Sequence, residues 1–420
     1  MNFTFSRFGK SFAADAGIVQ LMDDIGQAAA TNQDMLMLGG GNPARIPELE
    51  QLFRNRMQAL LDNSDSFQQL IGEYGPAQGH RGFIEALAKL LNEHLGWAVS
   101  AKNIALTNGS QSASFMLFNL FGGRTSDGQQ RRIALPLTPE YIGYADQGAA
   151  PDLFISSRPR IELLGQQQFK YRVDFDAIQI DETVGALCVS RPTNPTGNVL
   201  TDDEIHTLKS LASDNNIPLI IDNAYGLPFP GIVFSDATPV WDENTIVCMS
   251  LSKLGLPGLR TGIVIADEAV VRALAGMNAI MNLSPGGFGP QLVLELVRSG
   301  EILELSRDLI RPFYERKSVS ALQDLNARLT GYPFRAHKPE GAIFLWLWFD
   351  GLPITSQQLY ERLKLRGVLV IPSQQFFPGL SATWRHRQEC LRVNYAGDET
   401  RVHAGLAIIA EEVRKAYDEG

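Results

Sequence analysis

Short apolar runs that alternate with helical patterns constrain the fold of this chain more than any other feature. Between about residues 103 and 267 the sequence contains the runs "NIALT", "RRIALPL", "DLFIS", "GALCVS", "IPLIID", "TIVCMS" and "TGIVIAD". Their continuous apolar character is typical of strands that are covered on both faces, as in a parallel or mixed sheet. Between them lie helical patterns; one opens with Thr201 as an N-cap and Glu204 three residues later. The alternation predicts an α/β fold.

The length predicts two domains. A chain of 420 residues exceeds the roughly 250 to 300 residues at which a single hydrophobic core stops growing. After a long helical pattern at about 301–326, the runs "GAIFLWLWFD", "GVLVIPS" and "CLRVNYAG" alternate with helices and loops. We therefore predict a large domain at 50–305 with a mostly parallel central sheet, and a smaller α+β domain formed by 1–49 and 306–420. The aromatic run at 344–349 is predicted to be core of the smaller domain.

Composition and charge exclude several classes of protein. A net charge of -9 and a pI near 5.3 argue against nucleic-acid binding, which needs clustered basic residues to displace counterions. The sequence lacks a run of eighteen apolar residues and an N-terminal signal-peptide pattern, so we expect a cytoplasmic protein without a membrane span. Three widely spaced cysteines and six scattered histidines do not form a metal-binding motif, and no metal is expected.

Polar residues follow three of the predicted strands, where open α/β proteins gather their ligands. Asp222 follows "PLII", and a carboxylate leaving a buried strand needs a cation nearby, although helix capping or a structural ion pair also explains it. Asn194 lies between Pro192 and Pro195, whose fixed backbone angles hold the amide rigidly, as in a simple turn or beside a ligand. Lys253 follows the third strand, and a solvated surface lysine is the alternative there.

Two other segments predict an anion site. "TNGSQ" places Gly109, Ser110 and Gln111 where a loop enters a helix, whose N–H groups and positive dipole favour an anion. Ser250 and Arg260 can complete a phosphate cup, because an arginine offers a bidentate fork that a lysine lacks. The neighbouring lysine then has no phosphate to bind.

A lysine, a carboxylate, an amide and a phosphate cup together meet the requirements of pyridoxal 5′-phosphate. Its aldehyde forms a Schiff base with a lysine, its ring nitrogen needs an acidic partner and its phosphate needs an anion site. The motifs occur in an order, over nearly the whole chain, that resembles the class I and II (fold-type I) aminotransferases. They are "GGGNP" (39–43), "YGPAQG" (74–79), "TNGSQ" (107–111), "PEYIGY" (139–144), "RPTNPTGN" (191–198), "DNAYG" (222–226), "SLSKLGLPGLRTG" (250–262) and "LRVNY" (391–395).

The resemblance implies a role for each matching residue. Lys253 would form the Schiff base, Asp222 would partner the pyridine nitrogen, and Asn194 and Tyr225 would bond the phenolic oxygen. Tyr141 would stack on the ring, although the residue alone is also explained by core packing. The family also implies cis peptide bonds at Asn194-Pro195 and Thr138-Pro139.

The remaining implied contacts concern the phosphate and the substrate. The residues that would hold the phosphate are Gly109, Ser110, Gln111, Ser250, Arg260 and, from the other subunit of a homodimer, Tyr74. Ser252 is a further cofactor-binding residue. Arg392 would bind the substrate carboxylate with Asn194 and the backbone of Gly41. Without the resemblance, an arginine in "LRVNY" is better explained by snorkelling from a strand edge.

The implied enzyme is a pyridoxal-phosphate-dependent transaminase with a ping-pong mechanism. It would pass the amino group of a small neutral amino acid, of the valine or alanine type, to pyruvate or 3-methyl-2-oxobutanoate. The segment Met277 to Pro290 carries no charge, which favours a neutral substrate side chain. A carbon–sulfur β-lyase or a transaminase for another neutral amino acid are the alternatives. A regulator built on this fold would need a DNA-binding domain, for which the fifty residues before the predicted core leave no room.

Overall fold

The computed structural model describes residues 4–12, 26, 35–380 and 383–420. Its α-helices are α1 Arg7–Phe12, α2 Pro47–Asp62, α3 Ser64–Gly72, α4 Arg81–Leu95, α5 Ser110–Phe121, α6 Asp202–Asp214, α7 Glu268–Asn282, α8 Phe288–Ser299, α9 Glu301–Glu304, α10 Arg311–Arg328, α11 Ser356–Leu365 and α12 Glu399–Glu419. A π-helical segment, Leu305–Ile310, connects α9 with α10. Short 3₁₀ helices cover Ala101–Asn103, Ile142–Tyr144, Phe175–Ala177, Ser252–Leu254, Pro257–Leu259, Ser373–Phe376 and Arg385–Gln388.

The strands confirm the predicted strand positions, and the predicted alternation with α-helices holds in part: α5 and α6 each separate two consecutive runs, whereas 3₁₀ helices, turns or further strands separate the others. The strands are β1 Leu36–Met37, β2 Ile104–Thr107, β3 Gly123–Arg124, β4 Gln130–Leu135, β5 Phe154–Ser156, β6 Arg160–Leu164, β7 Gln168–Arg172, β8 Val184–Ser190, β9 Leu219–Asp222, β10 Thr245–Ser250, β11 Gly262–Ile265, β12 Phe334–His337, β13 Phe344–Phe349, β14 Val368–Leu369, β15 Ile371–Pro372 and β16 Cys390–Asn394. Each apolar run quoted between 103 and 267 overlaps one of them.

The chain divides into two compact units. The first comprises Met1–Gly41, Phe118–Leu200 and Tyr314–Gly420, and the second comprises Asn42–Leu117 and Thr201–Phe313. This division follows lines other than the predicted domains at 50–305 and at 1–49 with 306–420, which stay a prediction.

The first unit contains a six-stranded sheet in the order β15-β16-β13-β12-β7-β6. Strand β13 pairs antiparallel with both β16 and β12, and five of its six residues are buried. The predicted aromatic run is therefore core, as the largest fully buried side chain, Trp346, shows. In the same unit β4 pairs in parallel with β5 and β8.

The second unit contains the strands β2-β11-β10-β9. β10 is parallel to β9, whereas β11 is antiparallel to both β10 and β2, so the pairing is mixed. Helix α6 begins at the predicted capping box: the Glu204 N–H donates to Thr201 Oγ1 (3.2 Å), and the Thr201 N–H donates to Glu204 Oε2 (2.9 Å). Such a cap stabilises a helix by about 1 kcal/mol. None of the helices in the described residues is long and apolar enough to cross a membrane.

Four cis peptide bonds occur in the described residues, at Thr138-Pro139, Arg191-Pro192, Leu227-Pro228 and Phe229-Pro230. The first confirms a prediction. The predicted cis bond at Asn194-Pro195 is wrong, and the cis bond of that loop precedes Pro192 instead.

A buried ion pair anchors the loop at 191–199 inside the first unit. The Lys170 ammonium donates to Glu340 Oε2 and, at 2.9 Å, to the Val199 carbonyl, while the Val199 N–H donates to the same Glu340 oxygen at 3.1 Å. Burial raises the pKa of Glu340, but the charge and hydrogen bond of Lys170 outweigh it and hold the pKa below its ordinary value. Two charges therefore fix both backbone groups of one loop residue.

We expect Glu340→Gln to destabilise the protein by about 3 to 5 kcal/mol, because the substitution leaves the Lys170 ammonium, whose side chain is 4% exposed, without its carboxylate. The free energy of unfolding from urea titrations measures the loss. The double variant Lys170→Met with Glu340→Leu should recover much of it, because neither charge then remains buried.

The matched control is Glu50→Gln, which breaks the exposed Arg45–Glu50 pair and should cost much less, because water screens an exposed ion pair. Equal losses for Glu340→Gln and Glu50→Gln would show that the buried pair contributes no more than a surface one.

Candidate active site

The segment at 250–260, here called the lysine turn, begins where β10 ends. Ser250 is fully buried; its Oγ accepts a hydrogen bond from the Ser252 N–H at 3.1 Å and donates to the Thr261 carbonyl at 3.4 Å. Lys253 lies in the 3₁₀ helix that follows. The turn ends at Arg260, whose φ of 44° is in the left-handed region. A residue with a Cβ pays roughly 1 to 2 kcal/mol there, and such strain clusters at functional sites.

The turn places the lysine beside residues from the neighbouring strand. Lys253 Nζ lies 5.2 Å from the centroid of the Tyr225 ring, and Tyr225 follows Asp222 at the end of β9, which is parallel to β10. The Asp222 carboxylate accepts the Ala224 N–H at 3.1 Å. Burial and the Asp222 charge raise the pKa of the Cys248 thiol well above its ordinary value, so this thiol stays protonated. The three predicted catalytic residues therefore follow two adjacent parallel strands.

The arginine of the turn lies against the loop that leads into α5. Gly109 has a φ of 90°, and a Cβ there would lie 2.1 Å from Arg260 Nη2, so only glycine permits this approach. The pairing of Gly262 with Thr107 between β11 and β2 brings the two segments together. α5 begins at Ser110, with Gln111 next, and the first N–H groups of a helix have no acceptor within the helix. A guanidinium beside a helix N-terminus suits a phosphate.

Arg392 lies in the first unit, on β16, and is 2% exposed. Its Nη1 donates to Asn194 Oδ1 at 2.8 Å, and its Nη2 donates to the Gly39 carbonyl at 2.7 Å. The structure thus brings together two of the predicted substrate-binding residues. The glycine segment at 39–41 contacts the guanidinium through the Gly39 carbonyl. Gly41 is exposed, and its role in substrate binding stays a prediction.

Two further tyrosines are predicted to bind the cofactor; Tyr141 lies in the first unit and Tyr74 in the second. The Tyr141 ring packs edge-on against Tyr144, with centroids 5.4 Å apart, and a Cβ at Gly143 would lie 2.4 Å from it. Stacking of Tyr141 on a cofactor therefore stays a prediction. Tyr74, in the second unit, is 83% exposed.

The sequence interpretation missed two polar residues of the first unit. Asn394 Nδ2 donates to the Gly40 carbonyl at 2.6 Å, and the alternation of a strand could have shown it, because Asn394 shares the face of Arg392. Glu140 is fully buried, and its Oε1 accepts the Ser190 N–H at 2.8 Å. The sequence held no signal for the second contact, since fifty residues separate the partners.

The second unit meets the chemical requirements of pyridoxal 5′-phosphate. It contains a half-buried lysine after β10 and a carboxylate at the end of the adjacent strand β9. It also contains an arginine that approaches a glycine just before a helix N-terminus. These correspond to the groups that bind the aldehyde, the ring nitrogen and the phosphate of this cofactor. In the part of the chain that the structure describes, no group of three or more His, Cys, Asp or Glu residues is arranged to hold a metal ion.

Comparison with known proteins agrees with this geometry. The chain is 50% identical over 416 residues to the valine–pyruvate aminotransferase of Escherichia coli, with 99% of each chain covered. A putative amino-acid aminotransferase from Psychrobacter arcticum superimposes with a TM-score of 0.97 at 47% identity, over 100% of both chains. The valine–pyruvate aminotransferase of Salmonella typhimurium superimposes with a TM-score of 0.89 at 50% identity, over 96% of this chain and 100% of that one.

The model of the family Aminotransferase class I and II matches residues 33–409. This chain therefore belongs to the class I and II aminotransferase family and has its α/β fold and its dependence on pyridoxal 5′-phosphate.

Proposed function

We propose that the protein transfers the amino group of a small neutral L-amino acid, of the valine or alanine type, to a 2-oxo acid such as pyruvate or 3-methyl-2-oxobutanoate. The observation that carries the proposal is the 50% identity to the Escherichia coli valine–pyruvate aminotransferase over 416 residues. The predicted lysine, carboxylate and arginine all occur at the matching motifs.

The residues around the lysine turn would hold the cofactor. When bound, pyridoxal phosphate supplies a carbon that takes up the amino group and a ring that accepts the electron pair from the α-carbon. Asp222 holds a proton on the ring nitrogen, and Arg260, with the start of α5, binds the phosphate. Lys253 Nζ removes the α-proton of the amino acid and returns a proton later. Lys253 Nζ lies 5.2 Å from the centroid of the Tyr225 ring, so an aromatic side chain borders the group that moves the proton.

Arg392 and Asn194 would bind the substrate. Arg392 is buried and already hydrogen-bonded to Asn194, so little side-chain entropy remains to be lost when a carboxylate arrives. Both the amino acid and the 2-oxo acid carry this carboxylate, and one arginine serves both half-reactions. The uncharged segment at 277–290 favours a neutral substrate side chain. Because a methylene changes discrimination by only about 1 to 3 kcal/mol, several small neutral amino acids should react.

A homodimer with shared active sites is supported by apolar residues that the second unit exposes. Tyr74 is 83% exposed and Ile280 is 88% exposed. Met281 and Leu283 are 50% and 60% exposed. Tyr74 and the residues at 284–288 line one cavity of about 660 Å³. Monomers rarely expose much apolar surface in one region, and a second copy of the chain would cover these side chains. A cytoplasmic location and a role in amino-acid biosynthesis are part of the proposal.

We expect Lys253→Ala to lower the rate of amino transfer at least about 1000-fold, because the variant lacks the group that moves the α-proton. Single-turnover mixing of the holoenzyme with L-valine, followed by chromatography of 3-methyl-2-oxobutanoate, measures the rate. Addition of pyruvate should then yield alanine with the wild-type enzyme.

The matched control is Lys102→Ala, which removes an exposed lysine of the same unit and should retain the wild-type rate. A wild-type rate for Lys253→Ala would contradict the assignment. Release of ammonia and pyruvate from cystathionine without an oxo acid would instead indicate the β-lyase.

We expect Ile280→Asp to convert the dimer into a monomer and to weaken cofactor binding, because a charge in an apolar interface is desolvated without a partner. Light scattering gives the mass, and titration with pyridoxal phosphate gives the affinity. Leu365→Asp changes an apolar residue that is 90% exposed in the first unit and should leave the dimer intact. Equal masses for Ile280→Asp and the wild-type protein would reject this interface.

A further inference from the structure

The guanidinium of Arg392 lies beside two aromatic rings of the first unit. Its central carbon is 4.2 Å from the centroid of the Phe344 ring and 5.3 Å from that of Phe376. Both phenylalanines are fully buried, and Arg392 is 2% exposed. An arginine over an aromatic face is attracted by the ring quadrupole, and the attraction grows when water is excluded. The rings thus contact the group that we propose for carboxylate binding.

The sheet register explains why these residues meet. Strand β13 runs antiparallel to β16, and Trp346 is the direct partner of Arg392. Directly opposed residues share a face, and so do residues two apart on one strand. Phe344, two residues before Trp346, therefore lies diagonally across from Arg392. The ring of Trp346 packs edge-on against Phe376, with centroids 5.6 Å apart, and so supports the second ring.

We propose that Phe344 and Phe376 are positioning residues for the substrate carboxylate, which act by holding the Arg392 guanidinium in place and keeping water from it. The inference rests on the proposed function, since it takes Arg392 as the carboxylate ligand. The hydrogen bonds to Asn194 and Gly39 fix the guanidinium within its own plane, while contact with ring faces restricts its displacement out of that plane. A guanidinium without its water layer binds an anion more strongly.

The role has a kinetic signature that core packing alone lacks. Both the amino acid and the 2-oxo acid bind through a carboxylate, so loss of a ring should weaken the binding of both substrates equally. Proton transfer takes place at another atom and should continue at a similar rate once the substrate is bound. The preference among substrates with different side chains should not change, because the rings contact Arg392, which is proposed to bind the carboxylate and not the side chain.

The test uses Phe344→Leu and Phe376→Leu, which keep an apolar side chain but remove the aromatic face. For each variant holoenzyme, we expect the KM for L-valine and for pyruvate to rise about 10-fold, with kcat within about twofold of wild type. The dissociation constant of 3-methylbutanoate, a carboxylate that cannot react, should rise by the same factor in calorimetric titration. If one variant does not fold, the other carries the same test.

The matched control is Phe349→Leu. Phe349 lies on the same strand and is fully buried, but its ring stacks on Phe334 at 5.8 Å. It should lose comparable thermal stability while KM and the 3-methylbutanoate constant stay at wild-type values. The proposal is overturned if Phe344→Leu and Phe376→Leu bind 3-methylbutanoate as the wild type does, or if Phe349→Leu weakens binding equally. Failure of the wild-type enzyme to convert valine would instead refute the proposed function, and the calorimetric comparison would still test the rings.

Discussion

The loop that carries Asn194 depends on one buried carboxylate, that of Glu340. Burial makes an unpaired carboxylate costly, and the Lys170 ammonium compensates for it only because both groups also bond the backbone of Val199. That requirement fixes the end of the loop at 191–199, and the loop carries Asn194. Asn194 in turn accepts a hydrogen bond from Arg392. The ion pair thus anchors the loop whose Asn194 contacts Arg392, the proposed substrate ligand.

In the second unit, the main constraint on the predicted phosphate site is steric, whereas in the first unit it is electrostatic. Arg260 can approach the loop before α5 only because residue 109 is glycine, and a Cβ there would lie 2.1 Å from Nη2. Arg260 itself adopts a left-handed conformation with a φ of 44°, which is unfavourable for a residue with a Cβ. Strain of this kind persists only where surrounding contacts determine the backbone. The pairing of β11 with β2 supplies such contacts, because it begins two residues after Arg260.

The sequence predicted those features that a local pattern encodes. Apolar runs located the strands, the spacing of Thr201 and Glu204 located the start of α6, and the family motifs identified the lysine turn and Arg392. Contacts between residues far apart in the chain had no such signal. Glu340 and Val199 are 141 residues apart. No sequence pattern around Phe376 indicates that its ring contacts Arg392. The cis bond in the 191–198 motif was assigned to the wrong proline, because the motif contains two prolines and its letters do not distinguish them.

The aromatic run at 344–349 shows why core packing and function need not be alternative interpretations. Its residues alternate between the two faces of β13, and one of them, Phe344, reaches Arg392 through the pairing with β16. A ring face attracts a guanidinium but carries no net charge, and Asn194 and Gly39 offer neutral oxygens. Such contacts orient the guanidinium and hold its plane in place. In surroundings of low polarity, the attraction between a guanidinium and a substrate carboxylate is stronger than in water.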